Sequence, residues 1–251
     1  VRDRIPDRDL EEPTDAPEEP PEPEPTMDDA AREAKWQCAR THRQRMLLAL
    51  PALLTVIVAV IDGLDVLSQG WYDHVWLRCG IPAGLLILCL LLCPHLWQEA
   101  WEHLRHGRVT APAAALLCGL VALADSAWCL FLGNCPNLPF AAPAAALLYL
   151  CVCGQYRAAR ARYDSFRLAQ LGGVPPYVAS VTAAGACKQQ GRLEGFYRLW
   201  QSPDPAARWQ PILTPLYLAL ATVLALVAAL AGHQMNRFLW LWSALLSATV
   251  P

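Results

Sequence analysis

Residues 157–209 read RAARARYDSFRLAQLGGVPPYVASVTAAGACKQQGRLEGFYRLWQSPDPAARW. This basic, turn-rich stretch parts four apolar runs upstream from two downstream. Runs of that length belong in lipid, so this stretch and the acidic start of the chain are the parts suited to water. Within it, 157–171 continues the fourth run as a basic helix ended by Gly172 and Gly173. Pro175-Pro176 then opens an extended piece with β-prone Tyr177, Val178, Val181 and Thr182, and Gly185 allows a hairpin return through Cys187 and Lys188. A short amphipathic helix is expected over 193–200. Asp204 is expected to cap a helix that has Pro205 at its first position and leads into the fifth run.

The composition agrees with a membrane assignment. Of 251 residues 55% are hydrophobic and 17% charged, and the mean hydropathy is +0.25, outside the range of ordinary soluble domains. The chain is therefore expected to be an all-α polytopic membrane protein with six transmembrane helices, four in 35–156 and two in 212–251. A small α/β cytoplasmic insert at 157–211 separates them, and a disordered acidic tail occupies 1–34. The tail follows from thirteen Asp and Glu among the first 33 residues, with many prolines and little to bury. It reads either as an acidic interaction segment or as a solvated leader.

The runs cover 46–67, 79–97, 109–132, 138–156 and 212–231, with a sixth from Phe238. The sixth has fourteen residues, short of the roughly 20 a crossing needs, so a fragment ending within a span is expected. Orientation follows from Lys and Arg. Loops 62–78, 133–137 and 232–237 hold only Arg78 and Arg237 of the twenty. The rest flank the opposite ends, which predicts a multi-pass cell-membrane protein with its N-terminus and insert in the cytoplasm. The lipid bilayer is the first partner; nucleic acid is not one.

Four features could carry chemistry. Asp125 lies inside the third run beside Ser126, where an unpaired charge is costly; it reads either as a cation or proton site or as a residue reaching interfacial water. Cys89 and Cys93 would share a helix face at i, i+4, a possible soft-metal pair, with packing as the alternative. Cys151 and Cys153, two apart, point away from each other, which favours packing. His95, His103 and His106 cluster near 98–108 and read as headgroup contacts or a metal relay. The segment 188–198 carries Lys188, Arg192, Glu194, Phe196 and Tyr197, either a coupling surface for another cytoplasmic domain or a structural elbow.

From YDSFRLA (163–169) through GACKQQGRLEGFY (185–197), SPDPAARWQ (202–210) and FLWLWSALLSATVP (238–251), the chain resembles the N-terminal membrane part of a divergent P-type ATPase of the heavy-metal-transporting kind. The resemblance implies four spans, a reduced actuator-like insert, two further spans and then phosphorylation and nucleotide-binding domains downstream. ATP and Mg2+ are implied for the longer protein and no cofactor for this chain. The resemblance further implies a transported cation, with Pro215, Thr249 and Pro251 bordering its path beside Asp125. The chain departs from the family in having no Thr-Gly-Glu loop, no Cys-Pro-Cys in the sixth run and no Asp-Lys-Thr-Gly-Thr motif. The competing expectation is a non-enzymatic scaffold, or degenerate pump relative, that recruits partners through the insert and tail.

Overall fold

The structure, a computed structural model, describes residues 27–64, 69–134, 138–170, 177–182, 185–190, 205–233 and 235–248. Helix α1 spans Met27–Gly63. It begins inside the segment expected to be a disordered tail, so residues 27–34 correct that expectation, while 1–26 lie outside the described residues. The reason is local. Asp28 and Asp29 suit the positive end of a helix dipole, and alanines follow at once.

Helix α2 is Gln69–Asp73, α3 Val75–Leu91, α4 Pro94–Arg105, α5 Ala111–Leu132 and α6 Ala141–Gln170. Strands β1 (Tyr177–Thr182) and β2 (Gly185–Gln190) pair antiparallel, Thr182 opposite Gly185 and Tyr177 opposite Gln190. Helix α7 runs Pro205–Ala231, and α8 covers Phe238–Ser247 after a 3-10 turn at Met235–Arg237. The basic continuation of the fourth run, the hairpin and the proline-led start of α7 all lie where the sequence puts them. The helix expected over 193–200 lies outside the described residues.

Helices α1, α5 and α7 are each long and apolar enough to cross a membrane. Helices α3 and α4 meet that condition only together, bent by 68°. The second run is thus broken rather than straight. Pro94 disfavours the helical region for the residue before it, and Cys93 sits at φ −111°, ψ 50°. Helix α6 is not among the candidate spans, since charged residues from Arg157 onward follow its apolar first half. Helix α8 is apolar but only 10 residues long.

Helix α5 lies at the centre, packed on α3, α4, α6 and α8. The core uses small side chains, among them Ala115, Cys118, Ala122, Ala144 and Ala145, with Leu86 and Leu148 between them. Between helices in lipid, where no water is displaced, close backbone approach and dispersion hold the contact. Gly119 marks the tightest point of this contact, because a Cβ there would meet Leu90 Cδ2 at 3.2 Å. On α7, Leu213, Leu216, Leu220, Val223 and Val227 are exposed, an apolar surface suited to lipid and not to water.

Helices α1 and α6 also pack along their polar extensions. Ala30, Ala31 and Ala34 are buried together with Phe166, and Tyr163 packs beside them. Removing a Phe side chain from water is worth about 1.5–3 kcal/mol, which holds the two arms together beyond the apolar bundle.

Candidate functional site

Asp125 sits in the third turn from the end of α5, only 2% exposed. Its Oδ2 has no hydrogen-bond partner among the described residues. The neighbouring hydroxyl does not help, because Ser126 Oγ donates to the Ala122 carbonyl at 2.9 Å. One turn further on, Cys129 packs with Cys79 of α3. Two turns back, Cys118 Sγ reaches the Ser243 carbonyl of α8 at 3.9 Å. Ser243 is itself buried and donates to the Trp240 carbonyl at 2.9 Å. Asp125 therefore lies inside the protein, between the α3 and α8 contacts of the central helix.

A carboxyl group in such surroundings either keeps its proton or needs a cation, since an isolated buried anion is too costly to persist.

Of the other expected path residues, only Pro215 is among the described residues, and it does not come to Asp125. Pro215 lies inside α7. The Tyr217 hydroxyl donates to the Leu245 carbonyl at 2.8 Å, while Cys118 stands level with Ser243. Pro215 is therefore level with the first turns of α5, on the order of 15 Å from Asp125 along the helix at 1.5 Å per residue. Thr249 and Pro251 lie outside the described residues, as do Arg192, Glu194, Phe196 and Tyr197. Lys188 pairs with Ala179 across the hairpin.

The cysteines pack. Cys89 and Cys93 are both buried in the main core with Cys151. The shared-face reading assumed one continuous helix, but α3 ends at Leu91 and Cys93 stands in the break before α4. Among the described residues no three His, Cys, Asp or Glu side chains converge to hold a metal ion. A buried free thiol in such a place behaves as a small apolar residue. Of the histidines, His106 Nδ1 lies 2.7 Å from the Glu102 carbonyl. His95 Nε2 is buried and has no hydrogen-bond partner among the described residues.

Sequence reasoning missed one polar centre. Asp62, near the end of the first apolar run, is buried in the last turn of α1. Trp71 Nε1 donates to its Oδ1 at 2.7 Å. Arg78 of α3 donates through Nε to Oδ1 at 3.1 Å and through Nη2 to Oδ2 at 3.0 Å. The Tyr72 hydroxyl reaches the Asp62 carbonyl at 3.4 Å, and the Arg78 guanidinium lies 5.4 Å from the Tyr72 ring centroid. The available signal was a lone arginine in a loop that follows an aspartate at the end of an apolar run. Comparisons with protein families, with curated proteins and with solved structures returned no match.

Proposed function

We propose that this chain is the membrane portion of a P-type-ATPase-like cation translocase, with Asp125 as its cation- or proton-binding carboxylate. One observation carries the reading: a carboxylate oxygen inside the central helix's packing surface has no partner among the described residues. Six crossings are proposed, namely α1, α3 with the first turn of α4, α5, the apolar half of α6, α7 and α8. The N-terminus and the 157–211 insert face the cytoplasm. The Lys and Arg distribution supports that orientation, and the pairing of Arg78 with Asp62 removes the single basic charge from loop 62–78. The phosphorylation and nucleotide-binding domains, with ATP and Mg2+, belong downstream of these residues. This chain has no phosphate-binding Gly-rich loop ending in Lys-Ser or Lys-Thr.

Equilibrium dialysis of the purified chain against monovalent and divalent cations, wild type beside Asp125→Asn, tests the site. Retention of one cation by the wild type, lost in the variant, is expected; equal retention, or none by either, overturns it. The orientation has its own test, because Lys35 and Lys188 are the two lysines of the chain. An impermeant amine reagent added to intact cells is expected to label neither, and labelling of Lys188 would reverse the topology.

A second reading, a membrane scaffold, is favoured by the long paired arms of α1 and α6, which extend past their apolar halves and pack through Ala30, Ala31, Ala34 and Phe166. Under it, cation retention is absent and the arms recruit a partner.

A further inference from the structure

The end of the bundle where α4 begins carries the same small arrangement twice. On α1, the exposed Trp36 is followed four residues later by Arg40, whose guanidinium lies 5.0 Å from the indole centroid. On α4, the exposed Trp101 is followed four residues later by Arg105 at 5.1 Å. The two pairs belong to the same end. His95, in the first turn of α4, lies within electrostatic reach of Arg40.

Helix α4 explains how such a pair can sit at a lipid boundary. The bend after α3 turns it away from the span direction. Leu96 and Ala100 are buried in the core, while Trp97, Trp101 and Leu104 are exposed at i, i+4 and i+7. A second apolar stripe on the outer face of a short helix otherwise bearing Glu, His and Arg has no use in water. It suits acyl chains, with the charged residues at headgroup depth.

A guanidinium stacked on an indole keeps its N–H edge free, and that edge matches two phosphate oxygens. The third arginine stacked on an aromatic near this end, Arg45, lies 4.3 Å from the Tyr156 centroid and is half-buried. Arg78, which stacks on Tyr72, is already committed to Asp62.

We propose that Trp36–Arg40 and Trp101–Arg105 are two clamps for the phosphate of an anionic phospholipid in the adjacent leaflet. The indole lies at the acyl boundary and the stacked guanidinium grips the headgroup. The inference goes beyond the translocase reading and stands whichever way the bundle is oriented.

Native mass spectrometry of the detergent-purified chain with phosphatidylglycerol or phosphatidylcholine tests it. The wild type is expected to prefer phosphatidylglycerol by roughly tenfold, from two headgroup arginines. Arg40→Gln with Arg105→Gln should abolish the preference. Arg40→Lys with Arg105→Lys should lose most of it despite unchanged charge, because the fork is gone. Arg43→Gln with Arg108→Gln removes the same charge from exposed, neighbouring positions and should leave most of the preference. Equal loss in that control would overturn the proposal in favour of diffuse charge. Retention in the lysine variant would overturn it as well. Competition by millimolar inorganic phosphate would show a free-phosphate site instead of a lipid clamp. Unaltered thermal unfolding of the variants separates loss of binding from loss of fold.

Discussion

Asp62 and Asp125 are both buried, 4% and 2% exposed, and each belongs to a helix long and apolar enough to cross a membrane. Yet they are opposite cases. Asp62 accepts from an arginine fork and an indole, so its charge is balanced where it stands. The Oδ2 of Asp125 accepts from nothing among the described residues. The contrast teaches that burial of a carboxylate does not by itself mark a functional group. The test is whether the fold has already supplied its counter-charge.

The strongest attack on this contrast is Arg78→Met, which strands the Asp62 carboxylate. Breaking a buried ion pair from one side costs about 3–5 kcal/mol, and the expected result is a large fall in thermal stability in detergent. Asp62→Leu with Arg78→Met should recover most of that loss. If the double variant is as unstable as the single one, the clasp is more than a balanced pair.

Trp71→Phe removes one donor to the same carboxylate and keeps the ring. A hydrogen bond to a charged group is worth about 1.5–3 kcal/mol, so an intermediate loss is expected in the same unfolding assay. No change would mean that Arg78 alone satisfies Asp62.

Gly119→Ala probes the seam between α5, which carries Asp125, and α3, which carries Arg78. Its Cβ would meet Leu90 Cδ2 at 3.2 Å, and overpacking a tight contact costs about 1–3 kcal/mol. The flexible end of a leucine can give way, so a loss near the lower limit is expected.

Asp125→Asn should have the smallest effect on stability, under about 1 kcal/mol, because no counter-charge is orphaned and a neutral amide is cheaper to bury than an anion. Its effect should appear in cation retention instead. A destabilisation as large as that of Arg78→Met would collapse the distinction and make Asp125 a structural residue.

Much of the fold was legible beforehand because it follows from local chemistry. Apolar runs mark the helices, the run of Ala, Arg and Leu carries α6 past its apolar half, and β-prone residues with Gly185 make the hairpin. Pro205 starts α7. The break between α3 and α4 could also have been read, since Pro94 sits in the second run. Cys89 then stands before that break and Cys93 within it, both buried in the same core.

The candidate site divides in the same way. That Asp125 would lie in an apolar run was visible in the sequence. That it is turned into the protein, away from Pro215 and without a donor for one oxygen, depends on how α3 and α8 settle against α5. Likewise, Asp62 and Arg78 are sixteen residues apart in the chain. The lone Arg78 of the 62–78 loop signals a need for a counter-charge, but the sequence does not fix Asp62 as its partner, because no periodicity relates a helix end to a position beyond the intervening turn.

What the sequence by itself determined is the preference of each segment for lipid or water and for helix or strand, because transfer and backbone energies are properties of short stretches. What only the tertiary structure decided is which buried charge has a partner. Coulomb and hydrogen-bond energies act over a few ångströms, and only packing brings distant residues that close.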